Sequence, residues 1–337
     1  MNVEQISTTP PRERAGQSVL LLNIERFALP GLFIVVLIFF SLWGVTGHLF
    51  ATAINFQEVG SNYVYIGVLT LASLIPLVCG EFDFSVGQNA GFTQIIVATA
   101  MARFHVPLVF AIALAIACGA LVGLNNGNVV AKLGVNSLIV TLGTSGMLLG
   151  VVEWYTNGQT ISVGISQSML NFGFSNVLGI PESVLLLTGV ALIVYYVLEH
   201  TPYGRYLTSI GSNARAARLV GLRVDSLKLS AFVLSGALAG VAGVLLVAKN
   251  GSASPQAGSV ADTLIALAAA YLGATSIRPG RFNVWGAMLA VYFIAFSVSG
   301  LALAGVQSWV SQVFSGGALF IAVVISTVLA RRRTGTA

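Results

Sequence analysis

Residues 59–80 read VGSNYVYIGVLTLASLIPLVCG, an unbroken run without Asp, Glu, Lys or Arg. A helix needs about 20 predominantly apolar residues to cross the hydrocarbon layer of a bilayer. This run has that length, and it shows none of the strict apolar–polar alternation of a transmembrane barrel strand. It therefore predicts a membrane-spanning helix. Working outward, charge-free or nearly charge-free runs recur at 27–57, 84–102, 106–131, 133–152, 183–198, 229–248 and 263–277. Residues 282–330 carry no charge at all and are too long for one pass, so a break is expected near 300–308. The expected fold is all-α, a polytopic integral membrane bundle of about ten transmembrane helices.

Composition agrees. Of the 337 residues, 56% are hydrophobic and 8% charged, against roughly 25% charged in soluble domains. Cys79 and Cys118 lie in apolar runs, and His48, His105 and His200 are scattered, so neither a disulfide framework nor a metal site is expected. The three lysines, Lys132, Lys228 and Lys249, follow no phosphate-binding glycine loop. No nucleophile–base constellation recurs, and an enzyme is not expected. The formal charge of +5 follows the membrane topology and does not require nucleic acid.

The basic residues set the orientation. With ten spans and both termini in the cytoplasm, fourteen of the sixteen Lys and Arg fall inside, and only Arg103 and Lys249 fall outside. Residues 1–26 then read as an irregular cytoplasmic tail, 27–330 as the membrane domain and 331–337 as a basic cytoplasmic end. Glycines at packing distance (119, 123 and 127; 146 and 150; 236, 240 and 243) predict close helix–helix contact.

Three segments carry unusual polarity. Gly80-Glu81-Phe82-Asp83-Phe84-Ser85-Val86-Gly87-Gln88-Asn89 places two carboxylates between strongly apolar runs. Here Gly80, Glu81, Asp83 and Gly87 read as a gate or hinge, or the two acids cap a helix at the membrane boundary. Ser85, Gln88, Asn89 and Thr93 then enter a span. The 199–229 segment is the longest internal cytoplasmic stretch. Asn213 is placed to cap a short helix that Gly221 ends. The third segment, from Pro255 to Arg281, reads as loop punctuation around a short span.

These motifs together resemble the ribose-type permeases of bacterial ABC importers, relatives of the branched-chain amino acid permeases. Residues 80–87 resemble that family's Gly-Gly-Ile-Asp-Leu-Ser-Val-Gly signature. Thr141-Leu142-Gly143-Thr144, Thr201-x-x-Gly204-Arg205, the run from Ile210 to Gly221 and Ser235-Gly236-x-x-Ala239-Gly240 follow in the family's order, and 272–286 resembles its Gly-Gly-Thr-Ser turn region. The match departs at Glu81, Phe82 and Phe84, where the family has Gly, Ile and Leu, at Ala274, where it has Gly, and at Pro279-Gly280, where it has a double Gly.

The resemblance implies a vitamin-B12-importer-like (type II) permease fold in a bacterial inner (plasma) membrane. It also implies a second permease chain, identical or sister, two ATPase subunits on the cytoplasmic side and an extracytoplasmic solute-binding protein. ATP hydrolysis then belongs to the separate ATPase, and no cofactor is expected in this chain. Gly204, Arg205, Asn213, Arg215, Ala217, Arg218 and Gly221 are expected to form the ATPase-coupling element. Asn62, Ser85, Gln88, Asn89, Thr93, Thr141 and Thr144 are expected to line a path for a sugar or similar small polar solute. An amino-acid or nucleoside permease of the same kind, an ion-coupled secondary transporter and a non-transport scaffold are the competing readings.

Overall fold

A computed structural model describes residues 11–307 and, beyond them, positions 309–310, 312–318, 320–321 and 324. Helix α1 (Pro11–Leu42) contains Pro30. It begins within the segment expected to be an irregular tail. Proline at a first helical position needs no hydrogen-bonded N–H, and the apolar 19–22 run continues into the next span, so the helix extends back over 11–26. After α2 (Gly47–Phe50) come α3 (Ala53–Asn62), capped by the Thr52 hydroxyl, and α4 (Val64–Val78). Together α3 and α4 form a nearly continuous rod across the expected second span.

Helix α5 (Val86–Ala102) starts after an extended turn, and α6 (Leu108–Leu133) stops at Gly134. Helix α7 (Ser137–Thr156) starts at Asn136, whose carboxamide accepts from the N–H of Leu138 and Ile139. That cap moves the boundary four residues past the expected start at 133. The polar 157–182 stretch forms a short helix, α8 (Gln167–Phe174), and a hairpin of β1 (Asn176–Val177) and β2 (Ile180–Pro181). Helix α9 (Glu182–Tyr195) widens into a π-helical turn at Tyr196–His200. Helices α10 (Pro202–Leu219), α11 (Val224–Asn250), α12 (Val260–Gly273) and α13 (Val284–Leu303) complete the named elements. Gly305 turns the chain after α13, within the expected break.

Burial separates centre from periphery. The spans of α3–α4 and α11 are mostly enclosed by other helices, whereas α6 and α9 are largely uncovered. Leu121 on α6, Ile139 and Met147 on α7 and Ile193 on α9 are exposed. Apolar side chains uncovered over whole helices suit lipid, not water. Among the described residues, six helical stretches are long and apolar enough to cross a membrane. Arg26–Leu42 and Val260–Gly273 are apolar but shorter.

Helix α11 is the axis on which α6 packs, and glycine permits the approach. A Cβ added to Gly123 would lie 2.1 Å from the Phe232 carbonyl oxygen, and one on Gly119 would lie 2.4 Å from that of Gly236. The expected tight packing at Gly146 and Gly150 is absent among the described residues. A Cβ there meets nothing within 4 Å, because no described element covers that face of α7.

Candidate functional site

The turn between α4 and α5 is the polar centre of the molecule. Gly80 takes a positive φ of 82° and stands 3.5 Å, measured from a modest added Cβ, from the Gly211 Cα on α10. The contact itself would tolerate a Cβ; it is the left-handed backbone that favours glycine here. The next residues run extended along α7. Phe82 N–H donates to Ser137 Oγ (3.1 Å) and Phe84 N–H to Thr141 Oγ1 (2.9 Å). Backbone groups in a bundle interior need such partners, since lipid supplies none.

Asp83 is buried, and both of its carboxylate oxygens are engaged. One accepts from the backbone N–H (3.1 Å) and hydroxyl (2.6 Å) of Ser85, and the other from Ser235 Oγ on α11 (2.7 Å). Ser85 Oγ accepts from Asn126 Nδ2 on α6 (3.0 Å), and Asn126 Oδ1 accepts from Thr144 Oγ1 on α7 (2.6 Å). A single polar chain therefore runs Ser235–Asp83–Ser85–Asn126–Thr144 and ties α11, the turn, α6 and α7 together. Glu81 pairs with Lys228 in the first turns of α11, and both side chains are largely covered. The acids do more than cap: Asp83 bridges helices and Glu81 is an ion-pair partner.

On α5, Asn89 Nδ2 donates to the Gly119 carbonyl (3.1 Å), and Thr93 Oγ1 donates back to the Asn89 carbonyl (2.8 Å). Gly87 N–H donates to Thr263 Oγ1 on α12 (3.0 Å). Ser85, Asn89, Thr93, Thr141 and Thr144, expected along a path for solute, are thus buried; in this conformation Ser85, Asn89, Thr141 and Thr144 tie neighbouring elements together, and Thr93 bonds back to its own helix. The physical reason is that a polar group in an apolar bundle lowers its energy by pairing with a neighbour as readily as by meeting water. Gln88 is also buried, but its amide finds no hydrogen-bond partner among the described residues. Asn62 lies apart from the others, at the far end of α3, on the edge of a cavity of about 340 Å³.

Helix α10 has two parts. Asn213 leaves helical geometry (φ −158°, ψ 99°), and its Oδ1 accepts from the N–H of Arg215 (3.1 Å) and Ala216 (3.0 Å). It caps a short helix that Gly221 closes with φ 87°, as its position in the sequence suggests. The segment before Asn213, expected as loop, is helix started by Pro202. Gly204, Leu207, Ile210 and Ala217 face inward, while Arg205, Arg215 and Arg218 are exposed. Arg218 pairs with Asp225. Beside them Leu219 and Val220 stand 89% and 77% exposed. This apolar pair went unnoticed in the sequence because it reads as the end of a helix.

Asn126, Ser137 and Lys228 also escape sequence reasoning, and Ser235 reads only as part of a motif, without its role. Asn126 carries a usable signal, an amide at a glycine-rich position inside an apolar run. Among the described residues no cluster of His, Cys, Asp and Glu could hold a metal ion.

A sequence profile described as "Branched-chain amino acid transport system / permease component" matches residues 59–324. The chain belongs to this permease family. Within the family's range of relatives, the ribose import permease protein RbsC of Escherichia coli (strain K12) is 33% identical over 77% of this chain and 81% of its own length. The autoinducer 2 import system permease protein LsrD of Yersinia enterocolitica is 31% identical over 78% and 81%. The L-arabinose ABC transporter permease protein AraH of Azospirillum brasilense is 28% identical over 87% and 86%. No solved structure matches the chain. Family membership bears out the resemblance drawn from residues 80–286 and makes the chain a multi-pass permease of the ABC importer kind, a transport component.

Proposed function

We propose that this chain forms half of the passage of an ATP-driven importer for a sugar or similar small polar solute. The junction at residues 80–85 carries the reading. It touches the exposed helix α10 through Gly80 and Gly211, and it holds the buried ties to α6, α7 and α11. Movement imposed on α10 reaches the helix packing at this point. The exposed Arg205, Arg215, Arg218, Leu219 and Val220 suit docking in a cleft of a cytoplasmic ATPase subunit, which hydrolyses ATP in place of this chain.

Ten crossings follow when α1, α3–α4, α5, α6, α7, α9, α11, α12, α13 and the helical positions after 309 are each taken as one pass. Both termini are then cytoplasmic, by the distribution of Lys and Arg. The type II permease arrangement, a second permease chain and an extracytoplasmic binding protein complete the assembly. Asn62 and Gln88 line the passage. Ser85, Asn89, Thr93, Thr141 and Thr144 border it, exchanging ties as the chain alternates between outward and inward forms. A sugar is favoured as solute because relatives carry names of ribose and arabinose import.

Asp83 is the observation that would favour an ion-coupled transporter instead. Its oxygens are committed to Ser85 and Ser235, which counts against a free ion site. Uptake of D-ribose and L-arabinose into proteoliposomes, with and without the ATPase and binding protein, decides the matter. ATP-dependent uptake is expected. Uptake driven by an ion gradient through this chain alone overturns the reading.

A further inference from the structure

At the end of the bundle opposite Glu81 and Lys228, a cavity of about 340 Å³ is lined by Asn62, Tyr63, Tyr65, Lys249, Asn250 and Asp262, among others. Its walls are the start of α4, the end of α11 and the start of α12. The volume falls at the lower end of the range for small-molecule sites, about 300–1,000 Å³. It is large enough to admit one monosaccharide.

The charges around the cavity are already satisfied. Asp262 Oδ1 accepts from Tyr65 Oη (3.0 Å), and its Oδ2 accepts from the Ser259 N–H (2.7 Å) and hydroxyl (3.2 Å), a capping box at the start of α12. The positive end of that helix compensates the carboxylate further. Lys249 Nζ donates to Ser61 Oγ (2.9 Å) and to Glu58 Oε2 (3.3 Å), and Asn62 Nδ2 donates to the same carboxylate oxygen (3.3 Å). What remains for a guest is neutral. Asn62 Oδ1 and the Asn250 carboxamide have no hydrogen-bond partner among the described residues, and the rings of Tyr63 and Tyr65 supply flat apolar surface.

The cavity is also fixed in place. Its Ala257–Gly258 floor rests on α5: Gln94 Nε2 donates to the carbonyls of Ser254 (2.6 Å) and Ala257 (3.3 Å). A Cβ on Gly258 would come within 2.3 Å of the Gly91 nitrogen. The floor therefore sits against the same helix that carries Gln88 and Asn89.

An amino acid brings two opposite charges and needs two uncompensated partners, because burying an unpaired charge is costly. An inorganic cation is held best where a carboxylate has oxygens to spare, and both Asp262 oxygens already accept hydrogen bonds. A neutral polyol needs amide donors and acceptors beside an aromatic face, and the cavity offers both.

We propose that this cavity is a reception site for a neutral monosaccharide, entered before the solute reaches the Gln88 region. The inference rests on the transport reading above and adds to it the place where the solute is first held and the residues that hold it.

The test uses the complete importer in nanodiscs, with Cys79→Ala and Cys118→Ala removing the native thiols. Asn62→Cys, or Asn250→Cys if the first fails to fold, is labelled with a membrane-impermeant maleimide. Labelling is timed with D-ribose, L-arabinose, D-glucose or L-leucine present. Val163→Cys, at a position 82% exposed, reports non-specific effects. At least one sugar should slow labelling at the cavity about threefold when present at twice its dissociation constant, the factor 1 + [L]/Kd. L-leucine should leave it unchanged, and Tyr63→Ala, which removes one of the flat rings, should weaken the protection. Protection by L-leucine in place of sugars, or by no sugar in the panel, overturns the inference. ATP-driven uptake by the same preparations is scored separately, so normal uptake without protection removes the reception site and leaves the transport reading standing.

Discussion

Glu81 on the turn after α4 and Lys228 near the start of α11 form an ion pair between residues 147 positions apart. The turn also touches α10 and α7, so the pair closes a triangle of contacts around one corner of the bundle. The pair is a feature of this sequence: the family signature that residues 80–87 resemble has glycine where Glu81 stands.

Replacing Lys228 by Met should therefore lower thermal stability in detergent, since it leaves a largely covered carboxylate without its counter-charge. The swapped double variant E81K/K228E should recover much of the loss. A double-mutant cycle should give a coupling of about 0.5–3 kcal/mol, the range for contacting residues. A coupling near zero would mean that the two charges are independently solvated.

Asn126 sits mid-way along the chain from Ser235 to Thr144. Asn126→Leu should leave Ser85 and Thr144 without that partner and cost about 1–3 kcal/mol in unfolding free energy. This follows from two hydrogen bonds at about 0.5–1.5 kcal/mol each, set against the lower mean found for such bonds inside membranes. Equilibrium unfolding in mixed micelles measures it, and an unchanged midpoint would show that the amide is dispensable.

The two glycine stripes should respond differently. Gly123→Val drives a side chain into the Phe232 backbone and should abolish a monodisperse peak on gel filtration, whereas Gly146→Ala should leave the folded chain intact. Equal tolerance at both positions would contradict the close α6–α11 approach.

Exposed Leu219 and Val220, flanked by Arg215 and Arg218, test the docking face. Leu219→Ser with Val220→Ser should leave the permease folded but reduce uptake per ATP hydrolysed at least several-fold. Leu219→Cys should crosslink to the ATPase. Full coupling in the double variant, with no crosslink, would move the contact elsewhere.

Much of the fold was readable in advance because lipid imposes a simple rule: an uncharged apolar run of sufficient length becomes a helix. The 59–80 run and the break at Gly305 followed from it. The Asn213 cap was readable because capping needs only local sequence. The partners of Asp83 were not. Ser235 and Asn126 lie far from it in the chain, and a polar residue in an apolar run gives no sign of whether it will face water or another helix. The partners of Thr141 and Thr144, Phe84 and Asn126, were equally unreadable, because each comes from a different element. The Ser259–Asp262 box could have been found, since Ser-x-x-Asp before an apolar run is a capping signature.

Asn213 divides α10 into a piece seated by Leu207 and Ile210 and a shorter piece held mainly by Ala214, Ala217 and Leu222. Beyond that knuckle, only a few small residues oblige the segment to keep its composition. Its outer face can therefore change residue by residue without disturbing the packing of the helices behind it, and the hinge between the two pieces is a single asparagine.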